Sequence, residues 1–385
     1  MPVALYNWAP LGFLLATGAA LALVPALWVG WRTRRVARQD LPSARLQALT
    51  WATLFLTFDL VVFGAFTRLT DSGLGCPDWP GCYGHASPVG ALQHITTAQQ
   101  AMPSGPVTLP KAWIEMIHRY LATGVGALIV WLAVAAWLEW RKTPTPLTRR
   151  LLGLSLLCLC WVLVQGAFGA LTVTMKLFPA IVTLHLLGGM TGLALLTWLG
   201  HVRTACFTPV AATFRPAGSN QHRRSRLLVW AVFATLWIQI ALGGWVSTNY
   251  AVLACSDFPR CQGSFWPPMN FSQGFEIWRG LGVTAQGQAI VFEALTAIHF
   301  SHRAMAAVVL PLLMGLAWRL NRSLATRQAS RWLAGLAALQ LATGLSNVVL
   351  GWPLFAALLH TAGAGALVIV LTRVLCMPTP EKAAS

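Results

Sequence analysis

The chain has 385 residues, of which 56% are hydrophobic and only 10% are charged, and its mean hydropathy is +0.63. Soluble globular domains carry about 25% charged residues, so this composition excludes an ordinary soluble protein and indicates a bilayer as the solvent. The formal net charge of +17 does not indicate a nucleic-acid partner, because the basic residues form short clusters between apolar runs rather than one basic face.

Apolar runs long enough to cross a bilayer, which takes roughly 20 residues, recur along the whole chain. The first run has no basic segment before it and no small-residue cleavage site after it, so we expect a spanning helix rather than a removed signal peptide. We therefore predict an all-α membrane protein. Its nine spans lie at about 10–31, 46–67, 112–140, 149–175, 178–203, 226–248, 290–318, 331–351 and 353–375.

Most basic residues fall in alternate loops between these spans. The four basic loops contain Arg32, Arg34, Arg35, Arg38 and Arg45; Arg141, Lys142, Arg149 and Arg150; Arg203, Arg215, Arg223, Arg224 and Arg226; and Arg319, Arg322, Arg327 and Arg331. The opposite loops carry few basic residues, although two of them are the longest in the chain. By the positive-inside rule the basic loops are cytoplasmic and the N-terminus lies outside.

After the first helix the chain repeats itself. Each repeat gives a helix, a long outer loop with two cysteines, a helix with a His-Arg pair, and an apolar hairpin whose last helix carries another histidine. We predict two pseudo-symmetric four-helix bundles related by an axis along the membrane normal. The expected parts are an extra helix and basic loop at 1–45, the bundles at 46–203 and 226–376, a basic linker at 204–225 and a cytoplasmic tail at 377–385.

The matches between the repeats are specific. Gly64 and the Cys76 to Cys82 segment correspond to Gly243 and the Cys255 to Cys261 segment. The His118-Arg119 pair corresponds to His302-Arg303, and His185 corresponds to His360. Gln165 and Gly169 correspond to Gln340 and Gly344.

Four histidines, His118, His185, His302 and His360, lie near the outer ends of helices that run inward. A single membrane histidine often only hydrogen-bonds to a neighbouring helix. A duplicated set favours two sites in which facing imidazoles ligate a haem iron, His118 with His185 and His302 with His360.

The remaining histidines are weaker candidates. His299 shares a helical face with His302, so it competes as a ligand or supports one. Solvated or helix-end side chains are the default for the others, which are His85, His94, His201 and His222.

Glu115 breaks the symmetry of the repeat, because His299 stands at the matching place. It lies three residues before His118, where a carboxylate either needs a partner or faces interfacial water. An acid at one site only indicates one reacting site and one spectator site. Arg119 and Arg303 are candidates for contact with haem propionates, with structural ion pairs as the alternative.

Two cysteine pairs, Cys76 with Cys82 and Cys255 with Cys261, lie in outer loops, where the compartment is oxidising. We expect disulfides. A zinc site needs four ligands, which requires the two loops to meet, and an exposed disulfide that passes electrons is a further alternative.

Taken in order, these motifs resemble those of the haem A synthases of bacteria and mitochondria. The resemblance covers about residues 46–376. It rests on Gly64 to Pro80, the Glu115-x-x-His118-Arg119 motif, Gln165 to Gly169, His302-Arg303 and His360.

The resemblance implies that haem O is handled by the N-terminal half and that a haem b cofactor is held by the C-terminal half. It implies that Glu115 is the catalytic carboxylate, that His118 and His185 ligate the substrate haem, that His302 and His360 ligate the cofactor haem, and that Cys76–Cys82 and Cys255–Cys261 are disulfides. It also implies a multi-pass protein of the bacterial inner membrane. Its expected partners are haem O, membrane lipid, haem O synthase and oxidase assembly factors, and it is compatible with a homo-oligomer.

The expected reaction is the oxidation of a methyl group of haem O to the formyl group of haem A. The rival hypothesis is a di-haem b-type cytochrome that carries electrons from a quinol, and a haem transporter is a third. An electron carrier has no need for Glu115 in one half only. It also usually places its haems at different depths, whereas these four histidines cluster near one face.

The asymmetry of the basic loops makes a topology prediction. A cysteine introduced at Ser104 is expected to react with an impermeant thiol reagent on intact cells, and one at Ser219 only after permeabilisation. The measurement is labelling in a background without the native unpaired cysteines. The reverse pattern would contradict the nine-span orientation.

Overall fold

In the computed structural model, residues 8–36, 41–205 and 220–377 are described. The helices are α1 (Ala9–Arg32), α2 (Leu41–Leu69), α3 (Leu92–Ala101), α4 (Leu109–Lys142), α5 (Pro146–Thr174), α6 (Pro179–Ala205), α7 (Asn220–Thr248), α8 (Phe271–Gly274), α9 (Phe292–Leu320), α10 (Arg327–Val349) and α11 (Leu354–Cys376). Within these ranges nine helices, all but α3 and α8, are long and apolar enough to span a membrane. The all-α class and the nine predicted spans are confirmed.

Local sequence fixes where several helices begin. The Thr108 hydroxyl accepts the backbone N–H of Lys111 at the start of α4. Thr145 and Thr148 form a reciprocal capping box at the start of α5. Both helices place proline in the first turn, where its missing N–H costs nothing. Because of its early start, α4 is 34 residues long, about 51 Å at 1.5 Å per residue.

The backbone divides into two compact units, one ending at Leu177 and one beginning at Phe178. The first contains α1 to α5 and the second α6 to α11. The predicted bundles at 46–203 and 226–376, and their pseudo-symmetry, stay predictions, and α6 is grouped with the second unit. Most of the predicted linker, with Ser219, and the tail after Met377 lie outside the described residues.

In the first unit α4 is central, with α1, α2, α3 and α5 all packed against it. The extra helix α1 approaches α4 closely at Gly18, where a Cβ atom would lie 2.8 Å from the backbone carbonyl carbon of Thr123. The rings of Phe13 and Tyr120 pack edge to face with their centroids 6.1 Å apart. The extra helix therefore packs against the helix that carries Glu115 and His118.

In the second unit α9 packs against α7 and α10, and α11 packs against α6, α7 and α10. A small apolar core below the outer loop contains Ala180, Trp245, Val246, Ala251 and Ile298. The Trp245 indole donates to the carbonyl of Gly274 at 2.8 Å, so this core also fixes the short helix α8.

The contact between α1 and α4 predicts that alanine destabilises the protein at one glycine of α1 and not at another. Gly18→Ala should lower the thermal denaturation midpoint of the purified protein, because a methyl group there overlaps α4 and overpacking costs about 1–3 kcal/mol. Gly12→Ala is the matched control, since no atom lies within 4 Å of its Cβ position. Equal midpoints for the two variants would show that α1 does not depend on this close approach.

Candidate functional site

The outer loop of the first unit is a tight disulfide-closed turn. Cys76 and Cys82 are bonded, with their Cα atoms 4.8 Å apart. The Asp78 carboxylate accepts the backbone N–H groups of Tyr83 at 2.5 Å and Gly84 at 2.7 Å. The turn needs positive φ at Tyr83 and Gly84, which glycine adopts at no steric cost.

The outer loop of the second unit has the same construction. Cys255 and Cys261 are bonded, and the Asp257 carboxylate accepts the N–H groups of Gln262 at 2.6 Å and Gly263 at 2.9 Å. These bonds, that of Gly263 first, lower the pKa of Asp257 below its usual value. Its contribution to stability is therefore present above the ordinary pKa of an aspartate and is lost as the pH falls through the lowered value.

The predicted disulfides are thus confirmed. In the part of the chain that the structure describes, no group of three or more His, Cys, Asp or Glu side chains could hold a metal ion.

Glu115 ties the first loop to α4. The carboxylate is 3% exposed. One oxygen accepts the backbone N–H of Cys76 at 2.8 Å and the other pairs with the Arg119 guanidinium at 2.5 Å. Arg119, also buried, donates to the carbonyls of Asp78, Pro80 and Gly81. A buried carboxylate stays charged only with such partners, so Glu115, Arg119 and the loop form one unit.

His299 has the same place in the second unit. It is 4% exposed, and its Nδ1 accepts the backbone N–H of Cys255 at 3.1 Å. Its imidazole therefore supports the loop, as Glu115 does in the first repeat. Arg303 corresponds to Arg119, but it is only partly buried and donates to the carbonyls of Pro259 and Arg260. The predicted propionate contacts of both arginines stay predictions.

The structure places the rings of His302 and His360 next to each other in the second unit, in an edge-to-face arrangement. Their ring centroids are 6.3 Å apart and their planes are 77° apart. Imidazole nitrogens bind a first-row metal ion at about 2.0–2.1 Å, which places the centres of two opposed ligand rings roughly 6 Å apart. Gly243 makes room for this arrangement, because a Cβ atom there would lie 2.9 Å from Cε1 of His302. The pair fits an axially ligated haem iron.

The other two histidines are placed within their own units. On α4, His118 stacks on Phe63 with the ring centroids 6.2 Å apart, and Gly64 leaves room for its ring. On α6, Nδ1 of His185 is buried and has no hydrogen-bond partner among the described residues. The pairing of His118 with His185 stays a prediction.

Comparison with known proteins gives the family. The family model described as COX15-CtaA, cytochrome oxidase assembly protein, matches residues 47–372. The chain belongs to this family.

Similar proteins span nearly the same length. A heme A synthase of Shewanella oneidensis is 38% identical over 329 residues, which cover 85% of this chain and 95% of that protein. Heme A synthases of Rhizorhabdus wittichii and Halalkalibacterium halodurans are 29% and 28% identical, over 87% and 81% of this chain and 95% and 89% of their own lengths. With the nine apolar helices, these bacterial relatives make the chain a multi-pass protein of the inner membrane.

In this COX15-CtaA chain, α1 (Ala9–Arg32) lies before the matched region. Two histidines of the outer loop, His85 and His94, are exposed; the His94 ring stacks on Tyr83, and the His85 ring lies beside that of His94.

The sequence analysis missed three polar residues of the second unit. They are Gln239 beside His302, Thr343 beside His360, and Arg279, which is 2% exposed and donates to Asn249 at 2.6 Å. The available signal for Gln239 was its place one helical turn before Gly243, inside an apolar helix.

The two arginines of this COX15-CtaA chain provide an internal comparison. Arg119→Leu leaves the Glu115 carboxylate buried without its cation, and breaking a buried pair costs about 3–5 kcal/mol. Arg303→Leu removes hydrogen bonds at a partly exposed site, which are worth about 0.5–1.5 kcal/mol each. The thermal midpoint, and the rate of proteolysis in the outer loop, should therefore change much more for Arg119→Leu. Equal losses would show that Glu115 does not depend on Arg119.

Proposed function

We propose that this chain is a haem A synthase, which oxidises a methyl group of haem O to the formyl group of haem A and so serves the assembly of cytochrome oxidase. The observation that carries the proposal is the match of residues 47–372 to the family, together with relatives named heme A synthase that align over most of both chains. The facing histidines of the second unit support it, because they suit a haem iron.

The resident cofactor in this proposal is haem b, ligated by His302 and His360. The substrate is haem O, and by the internal repeat its ligands are His118 and His185. When bound, the haem iron supplies the redox chemistry, while the protein supplies ligation, orientation and the exclusion of water. Haem O synthase and oxidase assembly factors are the proposed partners, the first because it supplies the substrate.

Glu115 is the proposed catalytic carboxylate, one helical turn before His118. Glu115 anchors the outer loop, but His299 does the same in the second repeat, so this contact does not distinguish the two sites. The difference is charge: the first repeat holds a carboxylate in a dry place and the second an imidazole. A fixed negative charge stabilises an electron-deficient carbon or accepts its proton. Arg119 and the Cys76 N–H hold that carboxylate in one orientation.

A di-haem electron carrier would also use bis-histidine sites. It has no use for an acid at one site, and the relatives named heme A synthase favour the enzyme over the carrier.

The test of this proposal is Glu115→Gln in cells that make haem O. The amide is nearly isosteric and still accepts a hydrogen bond, but it lacks the negative charge. Haem A should fall about 10²- to 10³-fold, the usual loss for one electrostatic stabiliser. Haem O or a partly oxidised alcohol should accumulate, as measured by mass analysis of extracted haems.

The control is the haem b spectrum of the same variant, which should stay intact because its ligands are in the other unit. Wild-type haem A from Glu115→Gln would remove Glu115 from the mechanism. A wild-type protein that never converts haem O would favour the electron carrier.

A further inference from the structure

The imidazole of His360 is held by a hydroxyl group on the neighbouring helix α10. The Thr343 Oγ1 lies 2.9 Å from His360 Nδ1. The same oxygen lies 2.7 Å from the Leu339 carbonyl, one turn earlier in α10. In addition, the Gln340 amide donates to the backbone carbonyl of His360 at 2.9 Å, next to Gly363, whose missing side chain gives it room. Two consecutive turns of α10 therefore fix both the ring and the backbone of His360.

The hydrogen-bond directions follow from counting hydrogens. A threonine hydroxyl has a single hydrogen to donate, and in helices it usually donates to the carbonyl four residues earlier. Thr343 does so to Leu339 at 2.7 Å, so toward His360 its oxygen can only accept. Nδ1 of His360 must therefore carry the proton. In the neutral ring the lone pair is then on Nε2, which is the nitrogen left for a metal ion.

The first repeat lacks this support. By the alignment of Gln165 with Gln340 and of Gly169 with Gly344, the counterpart of Thr343 is Phe168, which cannot accept a hydrogen bond. The histidine that corresponds to His360 is His185, and its buried Nδ1 has no hydrogen-bond partner within the described ranges.

The contrast extends to the other ligand of each repeat. In the second unit the Gln239 amide nitrogen lies 3.1 Å from His302 Nδ1. By the alignment of Gly64 with Gly243, the counterpart of Gln239 is Leu60, and His118 instead stacks on the ring of Phe63. In the second repeat a polar side chain therefore lies beside each histidine, whereas the aligned positions of the first repeat hold Phe168 and Leu60.

We infer that Thr343 is a positioning residue, which selects the Nδ1-protonated tautomer of His360 and thereby makes haem b a permanent cofactor of low reduction potential. The inference rests on the proposed function. A ligand imidazole that donates its other N–H is more basic, and such outer partners are typically worth about 10- to 100-fold in metal affinity. A more basic ligand also stabilises the oxidised iron. At the aligned position the first repeat has Phe168, and Nδ1 of His185 has no hydrogen-bond partner among the described residues, which suits a substrate haem that must leave after each turnover.

The experiment compares Thr343→Val with Thr343→Ser in the purified full-length protein. Valine keeps the shape of threonine but removes the acceptor oxygen, whereas serine keeps it. Thr343→Val should bind haem b about 10- to 100-fold more weakly and should raise its reduction potential, and Thr343→Ser should restore both. The readouts are haem b loss to apomyoglobin and a spectroscopic redox titration, and neither depends on turnover.

Thr372→Val is the matched control, because Thr372 is a buried threonine that donates to Val368 in the same way but lies at the far end of α11. It should retain the wild-type potential and haem affinity. If Thr343→Val does not accumulate, the pair Thr343→Ala and Thr343→Ser makes the same comparison.

His360→Ala separates the two hypotheses. If it loses haem b while Thr343→Val keeps the wild-type potential and affinity, the role of Thr343 is overturned and the proposed ligation stands. If His360→Ala keeps the wild-type haem b spectrum, the ligand assignment is wrong and the role of Thr343 is overturned with it.

Discussion

One hydrogen bond in each repeat joins the outer loop to a membrane helix, and the candidate sites depend on it. The donor is the backbone N–H of the first cysteine of the loop, Cys76 or Cys255, and the acceptor is Glu115 or His299. Each acceptor stands three residues before a candidate haem ligand, on the same helical face. The disulfide and the aspartate-capped turn stiffen the loop, so the hydrogen bond holds a rigid loop beside the candidate ligand.

The chemical difference between the two acceptors explains how their surroundings diverge. A carboxylate inside a helix bundle needs a cation, and Arg119 supplies it. The same guanidinium donates hydrogen bonds to three carbonyls of the loop. The imidazole of His299 can stay neutral and needs no such partner, so Arg303 is left partly exposed beside the ring of Phe258. The two loop anchors are therefore electrostatically unequal, because one is the Glu115 carboxylate and the other is the His299 imidazole. That inequality is what a reacting site and a spectator site require.

A second inequality concerns the histidines themselves. The second repeat places Thr343, Gln340 and Gln239 around His302 and His360, while the first has Phe168 and Leu60 at the aligned positions. A hydrogen-bond acceptor such as Thr343 fixes the tautomer and the orientation of a ligand imidazole. Both differences support the proposal that the first repeat handles a substrate and the second holds a cofactor.

The sequence by itself determined the nine spans, the duplicated loops with their disulfides, and the four histidines, because hydropathy, repeat spacing and residue type are local properties of the chain. Only the tertiary structure decided that Arg119 binds the loop carbonyls and Glu115, that His299 supports a loop, that α1 packs against α4, and that Thr343 meets His360. Apart from the Arg119–Glu115 pair, which is four positions apart on α4, these contacts join residues 17 to 44 positions apart or whole helices. Their partners depend on loop paths and helix rotations, which no periodic pattern in the sequence specifies.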